Sequence, residues 1–362
     1  MKKLNLAIIG QGRSGRDIHG AFFKSEKNVL FNVKYVVEAD PERRERALQE
    51  YEGCEALSDY TELFSKTDVD MVVNASYSDM HYPITKDLLK HGFNVTVEKP
   101  FARNYYECMD LIETAKRHGA VLSVFQQTFF APFYEKALEV AKSGIIGEVK
   151  EVNLRYNGFS RRWDWQTLQA RLGGSLYNTG PHPVGMALGF LDFAPDTRVA
   201  YSKLDLALTS GDAEDFVKII LTAKDKPVID LEINSTDAYT DYNIKLQGTR
   251  GTFKATPGKY KMKYIVEGEN PEKPVIFASL KGANGEPIYC SEKLITHEEE
   301  GAFSGTAFDV GTRKYYEMVY ARLTENKPLA LDPYDMAKIV KVMETVHAEN
   351  PLPIKYTEED NV

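Results

Sequence analysis

The stretch Leu4-Asn5-Leu6-Ala7-Ile8-Ile9-Gly10-Gln11-Gly12-Arg13-Ser14-Gly15-Arg16-Asp17-Ile18-His19-Gly20 decides the fold. It opens as a short run rich in isoleucine and leucine, from Leu4 to Ile9, that stops abruptly at Gly10. Gly10, Gly12 and Gly15 then have the G-x-G-x-x-G spacing, and a helix-compatible segment follows to Lys24. Gly10 permits the tight strand-to-helix turn, Gly12 lets the backbone approach a pyrophosphate, and Gly15 lets helix and strand pack closely. The helix N-terminus adds free N–H groups and a partial positive charge for the phosphates. A second strand is predicted from Asn32 to Ala39, and Asp40 follows it, 25 residues after Gly15. A carboxylate there accepts hydrogen bonds from both hydroxyls of an adenosine ribose, which favours NAD. Asp40 equally suits the N-cap of the helix beginning PERRER, and the two roles coexist. Arg43 and Arg44 are placed to hold a 2′-phosphate, which keeps NADP open.

At 362 residues the chain is long enough for two domains with substantial cores. Its net charge of −8 argues against a general nucleic-acid surface, which rests on basic patches. Cys54, Cys108 and Cys290 are few and widely spaced, so neither a disulfide framework nor a metal cluster is expected. No segment approaches the roughly 20 apolar residues of a membrane span, and a cytoplasmic protein is expected.

Up to about residue 125 the pattern alternates between strand and helix. Pro41 starts a helix to about Tyr51, a short strand segment at Glu55–Leu57 precedes Asp59-x-x-Glu62, which reads as a capping box, and Met71 to Ala75 is a buried strand, the fourth. A helix across Tyr82–His91 ends at Gly92, Phe93–Val97 is a further strand, and Asn104-x-x-Glu107 starts a helix that stops at Gly119. Val121–Phe125 is the last strand of the series. Strands joined by crossover helices imply an α/β Rossmann domain, a doubly wound parallel sheet over residues 1–125, with ligand at the carboxyl ends of the strands.

From Phe130 the pattern changes. Phe130, Phe133, Tyr134, Ala137, Leu138 and Ala141 fall on one face of a helix ending at Gly144. Strand-like runs follow at Val149–Tyr156, Val199–Leu206, Phe216–Leu221, Val228–Asn234, Tyr242–Gln247 and Met262–Glu267, with a hairpin turn in QGTRGTF. Strands in succession mean an open, mainly antiparallel sheet, hence an α+β domain over residues 126–362. Lys273 to Glu300 reads as loops and short strands, and two helices close the chain, across Phe308–Leu323 and from Asp332-Pro333 onward.

Two further stretches carry chemistry. Glu98-Lys99-Pro100 ends the fifth strand, where the nicotinamide end of a dinucleotide lies. A lysine there hydrogen-bonds a substrate oxygen and stabilises developing alkoxide charge. Read alone, it is equally a solvated lysine before a proline turn. In Gly173 to Leu191, Asn178 and His182 stand four apart, with Pro181 and Pro183 interrupting any single helix. Histidine is the usual proton acceptor when an alcohol carbon gives up hydride.

GQGRSG after the first strand, EKP after the fifth and GG…N-x-G-x-H in the second domain resemble, in that order, the glucose–fructose oxidoreductase, inositol dehydrogenase and MocA family. HGFNVTVEKP, KSGIIGEV and QGTRGTF fit the same pattern, so the resemblance covers nearly the whole chain. It implies that Lys99 and His182 face the nicotinamide from opposite domains, that Lys99–Pro100 is cis, and that the second sheet joins subunits into a dimer or tetramer. It also implies Arg13, Ser14, Ser76, His81 and Glu98 as cofactor contacts beside Gly10, Gly12, Gly15, Asp40 and Lys99. Relatives mostly act on a ring carbon of a sugar, cyclitol or sugar derivative. Two positions depart from the usual D-x-G-x-H-x-x-D, which here has Asn178 and Gly185 in place of the aspartates. Asn178 still donates and accepts hydrogen bonds but carries no charge.

The expectation is an NAD-dependent dehydrogenase in which Lys99 orients a hydroxyl, His182 takes its proton, and Asn178 holds the substrate or the imidazole. Arg162, Trp163 and Trp165 are candidates for the substrate pocket, tryptophan faces suiting the C–H faces of sugar rings. The alternatives are a glycosidase that oxidises and re-reduces one ring carbon with bound NAD, and a non-catalytic NAD-binding regulator.

Overall fold

The computed structural model describes residues 2–357. Strand β1 (Leu4–Ile9) lies at the centre of the first sheet, with Leu6, Ala7 and Ile8 fully buried. It pairs in parallel with β2 (Phe31–Val37) on one side and β4 (Met71–Asn74) on the other. Strands β3 (Glu55–Leu57), β5 (Val95–Val97) and β6 (Leu122–Val124) complete six parallel strands in the order β3-β2-β1-β4-β5-β6. Chain order reverses at β1, so β1 and β4 leave a crevice at their carboxyl ends.

Helix α1 is wound in π-type turns over Arg13–His19 and α-helical over Gly20–Phe23. Gly10 takes φ +88°, and a Cβ on it would lie 2.5 Å from the Ala75 carbonyl oxygen. A Cβ on Gly15 would lie 1.9 Å from the Gly10 carbonyl oxygen. Gly15→Ala is therefore expected to cost about 3 kcal/mol or more, because backbone rather than a flexible side chain must yield. Chemical denaturation of the variant checks this, and a loss under 1 kcal/mol, a bound of about the usual size for a tolerated core change, would contradict it.

The second sheet has eight strands in the order β14-β13-β12-β11-β7-β10-β9-β8. These are β7 (Val149–Arg155), β8 (Arg198–Asp205), β9 (Phe216–Thr222), β10 (Val228–Asn234), β11 (Ile244–Gly248), β12 (Gly251–Ala255), β13 (Lys259–Tyr264) and β14 (His297–Ala302). All neighbours are antiparallel except β7 and β10. One face presents Val152, Leu154, Ile219, Leu231, Leu246 and Phe253, all buried, towards helices α5 (Pro132–Ser143) and α7 (Pro181–Phe190). The other carries ion pairs such as Arg155–Asp230 at 2.9 Å and Lys218–Asp230 at 2.6 Å. Strand β13 starts earlier than its apolar residues suggest, and β14 lies in the polar stretch. Lys261 and Lys263 stand directly opposite Glu300 and Glu298, so cross-strand charge pairs hold the edge.

The last two helices return to the first sheet. Tyr316 of α8 (Thr312–Glu325) stacks on Phe22 with ring centroids 5.3 Å apart and also meets Phe23 and Phe31. Helix α9 (Pro333–Glu349) packs on α4 (Tyr105–Arg117) and β6. Residues from beyond 126 thus cover part of the nucleotide-binding half. No helix among the described residues is long and apolar enough to cross a membrane.

Candidate active site

A cleft of about 830 Å³ opens at the carboxyl ends of β1, β2, β4 and β5, with residues from 162–182 of the second domain as its far wall. Gly10, Gly12, Arg13 and Ser14 line its floor. A Cβ on Gly12 would meet nothing within 4 Å, so the backbone here faces open space. Gln127 lines the same cleft, and its buried Oε1 has no partner among the described residues. An open glycine floor at a helix start, together with an unused buried acceptor, fits a dinucleotide.

The acid at the end of β2 differs from the expected one. Asp40 is the N-cap of α2 (Pro41–Glu50): its Oδ1 accepts from the backbone of Glu42 (2.9 Å) and Arg43 (3.2 Å), and it is not part of the cleft wall. Glu38 lines the cleft instead, with Oε2 accepting from the Gln11 N–H at 2.7 Å. The strand ends at Val37, so Glu38 is the first side chain past it, whereas Asp40 already sits in the helix cap. Arg44 donates to the Glu38 and Ala39 carbonyls and is spent on that turn, while Arg43 reaches the cleft.

Ser76 and His81 lie beyond β4 on the cleft wall. The His81 ring bridges the Pro100 carbonyl (2.7 Å) and the Ser76 carbonyl (3.2 Å), tying the ends of β4 and β5 together. Glu98 lines the cleft, but one carboxylate oxygen meets His19 Nε2 (3.1 Å) and the other accepts from the Lys99 N–H (2.9 Å). His19 Nδ1 in turn meets the Tyr316 hydroxyl at 2.6 Å. Burial would raise the Glu98 pKa. The His19 hydrogen bond and charge, with Lys99 and His81, outweigh that and hold it at about 2.

Lys99 follows, and the Lys99–Pro100 bond is cis. Its Nζ points inward and donates to the Asn178 carbonyl at 2.8 Å. Burial holds its pKa below the ordinary lysine value; Glu98 opposes this, and the charges of Arg13 and Arg162 add to it.

Asn178 ends the short helix α6 (Ser175–Asn178), and His182 sits in the first turn of α7, so the prolines do split the segment in two. Both residues line the cleft. Asn178 does not hold the imidazole: its Oδ1 accepts from Gln166 Nε2 at 2.8 Å. The imidazole is oriented by Gln126 and Thr128, whose Oε1 and Oγ1 each lie 3.1 Å from His182 Nδ1. Gln126 Nε2 donates to the Pro181 carbonyl (3.1 Å), which turns its oxygen towards the ring. Nδ1 therefore carries the proton, and Nε2 is left as the basic nitrogen. Burial, then the Lys99 charge, depress the His182 pKa to about 3.

Gly185 lies away from the cleft. A Cβ there would be 2.9 Å from Phe129 and 3.0 Å from Ile339, so an aspartate would be buried against hydrocarbon. Of the loop residues, Arg162 and Trp165 line the cleft, and Trp165 meets Tyr77 edge-on at 5.1 Å. Trp163 is 80% exposed and is not part of the wall. The Asp164 side chain, between the two tryptophans, caps the turn Trp165–Thr167. Glu38, Gln126, Gln127 and Thr128 were not singled out from the sequence. Their only signal is position, just past the ends of β2 and β6.

A six-stranded parallel sheet whose crevice is lined by a glycine floor, Lys99 and His182 is the architecture of a dinucleotide-binding Rossmann domain. Residues 4–126 match the oxidoreductase family with an NAD-binding Rossmann fold, and residues 134–254 match the GFO/IDH/MocA C-terminal domain. The chain belongs to the GFO/IDH/MocA family. It is 25% identical over 259 residues to the 2,7-anhydro-N-acetylneuraminate hydratase of Mediterraneibacter gnavus, covering 70% of this chain and 67% of that one. The Escherichia coli protein of the same name is 26% identical over 257 residues, 69% of this chain and 67% of that one. Among solved structures, an NAD-binding protein from Listeria innocua superposes with a TM-score of 0.78 at 20% identity, covering 97% of this chain and 98% of its own. GenD2 from gentamicin A biosynthesis, in complex with NAD, gives 0.75 at 19% identity over 96% of this chain and 94% of its own.

Proposed function

We propose that the protein is an NAD-dependent oxidoreductase that transfers hydride between the nicotinamide and a ring carbon of a sugar, cyclitol or glycoside. The observation that carries this reading is the setting of His182: Nδ1 lies 3.1 Å from Gln126 Oε1, which assigns it the proton and leaves Nε2 as the base, in the same cleft as the inward-pointing Lys99. The nicotinamide, when bound, supplies the hydride acceptor. Gly12 and the start of α1 receive the pyrophosphate, and Glu38 receives the adenosine ribose hydroxyls. Lys99 donates to the substrate oxygen and stabilises negative charge as it develops. His182 Nε2 takes the hydroxyl proton, and the Asn178 amide holds a neighbouring hydroxyl.

NAD is preferred over NADP in this reading because the Glu38 carboxylate repels a 2′-phosphate. Glu38→Gln is expected to weaken NAD binding by about 10- to 100-fold, the worth of a charged hydrogen bond, and to erase the discrimination. Asp40→Ala is expected to leave NAD affinity unchanged and to cost about 1 kcal/mol of stability, as a lost cap does. Cofactor titration and denaturation of both variants test this; the opposite pattern would return the ribose to Asp40.

A second reading is favoured by the anhydro-sugar hydratase relatives: oxidation and re-reduction within one turnover, with elimination or hydration between and no net NADH. Sugars, cyclitols and glycosides are to be screened with excess and with trace NAD, following NADH absorbance and product by NMR. NADH formed in step with product supports the dehydrogenase. Product without NADH supports the redox-neutral reading. Tight NAD binding with no turnover of any compound supports the regulator. We also propose that subunits associate through the charged face of the second sheet as a dimer or tetramer, which sedimentation equilibrium tests.

A further inference from the structure

We propose that Glu214 and His347 are positioning residues that seat helix α6 and, through it, hold the Asn178 carbonyl against Lys99. The importance of Lys99 rests on the oxidoreductase reading; the seating itself does not. Neither residue lines the cleft. Helix α6 is a single turn of four residues, too short to hold its own shape, so its place is set by what it touches. Glu214, just before β9, is 2% exposed. Its carbonyl accepts from the Ser175 N–H at 2.7 Å and its Oε1 from the Leu176 N–H at 2.8 Å, the two N–H groups with which α6 begins. Gly174 permits this approach: it takes φ +101°, and a Cβ on it would lie 2.4 Å from Glu214 Oε1. At the other end of the turn, Lys99 Nζ donates to the Asn178 carbonyl at 2.8 Å.

His347, in the last turn of α9, supports α6 through its middle. Its ring stacks on Tyr177 with centroids 4.4 Å apart, and the Tyr177 hydroxyl donates to the Arg103 carbonyl at 3.1 Å. Nδ1 lies 2.9 Å from the Met343 carbonyl, and Nε2 pairs with Glu214 Oε2 at 3.5 Å. Carbonyl and carboxylate oxygens only accept, so both ring nitrogens call for a proton and the ring is a cation. The C-terminal turn of a helix favours the same charge. Burial would lower the His347 pKa, but pairing with Glu214 and the Met343 carbonyl outweigh it and raise the pKa above 6.5. Of the other groups around the ring, burial keeps Tyr177 a neutral phenol, and the charges of Glu107 and Glu344 bear on Tyr177. The His347 side chain is 26% exposed, so its proton exchanges with solvent. The ion pair is therefore whole below about pH 6.5 and is lost as pH rises through the raised pKa. Glu214 is then left buried beside a neutral ring, and α6 loosens its hold on Lys99.

The test uses the whole chain with no substrate. Histidine C2–H resonances are followed by NMR across pH, and acetylation of Lys99 by acetic anhydride is read by peptide mass spectrometry. Wild type, E214Q, H347Q and H347L are compared, with circular dichroism to check the fold. The His347 midpoint is expected above 6.5, and E214Q is expected to bring it below that value, because burial then acts unopposed. At about pH 6, H347L is expected to acetylate Lys99 about 2- to 10-fold faster than wild type, the worth of one lost hydrogen bond. As pH rises past the His347 midpoint, the wild-type rate is expected to converge on that of H347L. H347Q, a neutral donor with no proton to lose, is expected to keep part of the protection at every pH. A midpoint at or below 6.5 overturns the inference. Equal Lys99 rates in wild type and H347L at the acid end also overturn it, as does a rate ratio that ignores pH. Should H347L not fold, the Lys99 rates of E214Q are read in its place against the same outcomes. No substrate or NADH enters the measurement, so failure of the oxidoreductase reading and failure of this one are told apart.

Discussion

His182→Ala is expected to lower turnover by about 10²- to 10⁴-fold, the usual worth of a positioned general base, with little change in NAD affinity. The size follows from the absence of a substitute: Gln126, Thr128 and Asn178 present no basic nitrogen, and Glu98 is already engaged on both oxygens. The pH profile gives a second readout. A proton acceptor works only while neutral, so activity is lost as pH falls through its pKa. Burial and the Lys99 charge depress that pKa to about 3, so the acid limb of kcat/KM lies far below the ordinary histidine range near 6.5. Asn178→Asp puts a carboxylate on the residue whose carbonyl holds Lys99, which favours the imidazolium and moves the acid limb upward. A His182→Ala enzyme as fast as wild type would end the base assignment. An acid limb near 6.5 in the wild type would show that His182 is solvated in the working enzyme.

Lys99→Met is expected to lower kcat by about 10²- to 10³-fold, the range seen when a donor to a developing oxyanion is removed, or ~2.7–4 kcal/mol. Methionine keeps most of the length and the apolar stem, so loss of packing is small. Lys99 must be charged to donate, and its pKa is held below 10.5 by burial, with Arg13 and Arg162 adding to this and Glu98 opposing. Activity is therefore expected to fall on the alkaline side at a pH below the ordinary lysine value, and Lys99→Met should lack that limb. Steady-state kinetics across pH decide the matter. A Lys99→Met variant that raises KM alone would reduce the lysine to a binding contact made equally in ground and transition states.

The expected role of Asn178 changes with the structure. Without an aspartate, His182 is set by Gln126 and Thr128, just past β6, and Asn178 serves as a bracket between Lys99 and Gln166. Gly185, the other departure, faces Phe129 and Ile339, so the cleft loses no carboxylate there. Neither departure removes a group that the proposed proton transfer uses.

The nucleotide-binding half was legible in the sequence because its information is local. Short apolar runs, glycine turns and capping boxes specify strand and helix within a few residues, and their alternation leaves few topologies. Lys99 and His182 were legible for the same reason: each stands in a short motif of marked spacing. Only the tertiary structure decided which acid lines the cleft, because a two-residue difference between Glu38 and Asp40 depends on where β2 stops and α2 is capped. Only it separated Trp165, which lines the cleft, from the exposed Trp163 two residues before it. It also revealed Gln126, 56 positions before His182 in sequence and within hydrogen-bonding distance of its ring. Strand β14 was hidden in an acidic stretch because its partners are lysines on another strand. Local periodicity records which face of an element is apolar; it carries no record of the contacts that long loops close, and most of this cleft is built from those.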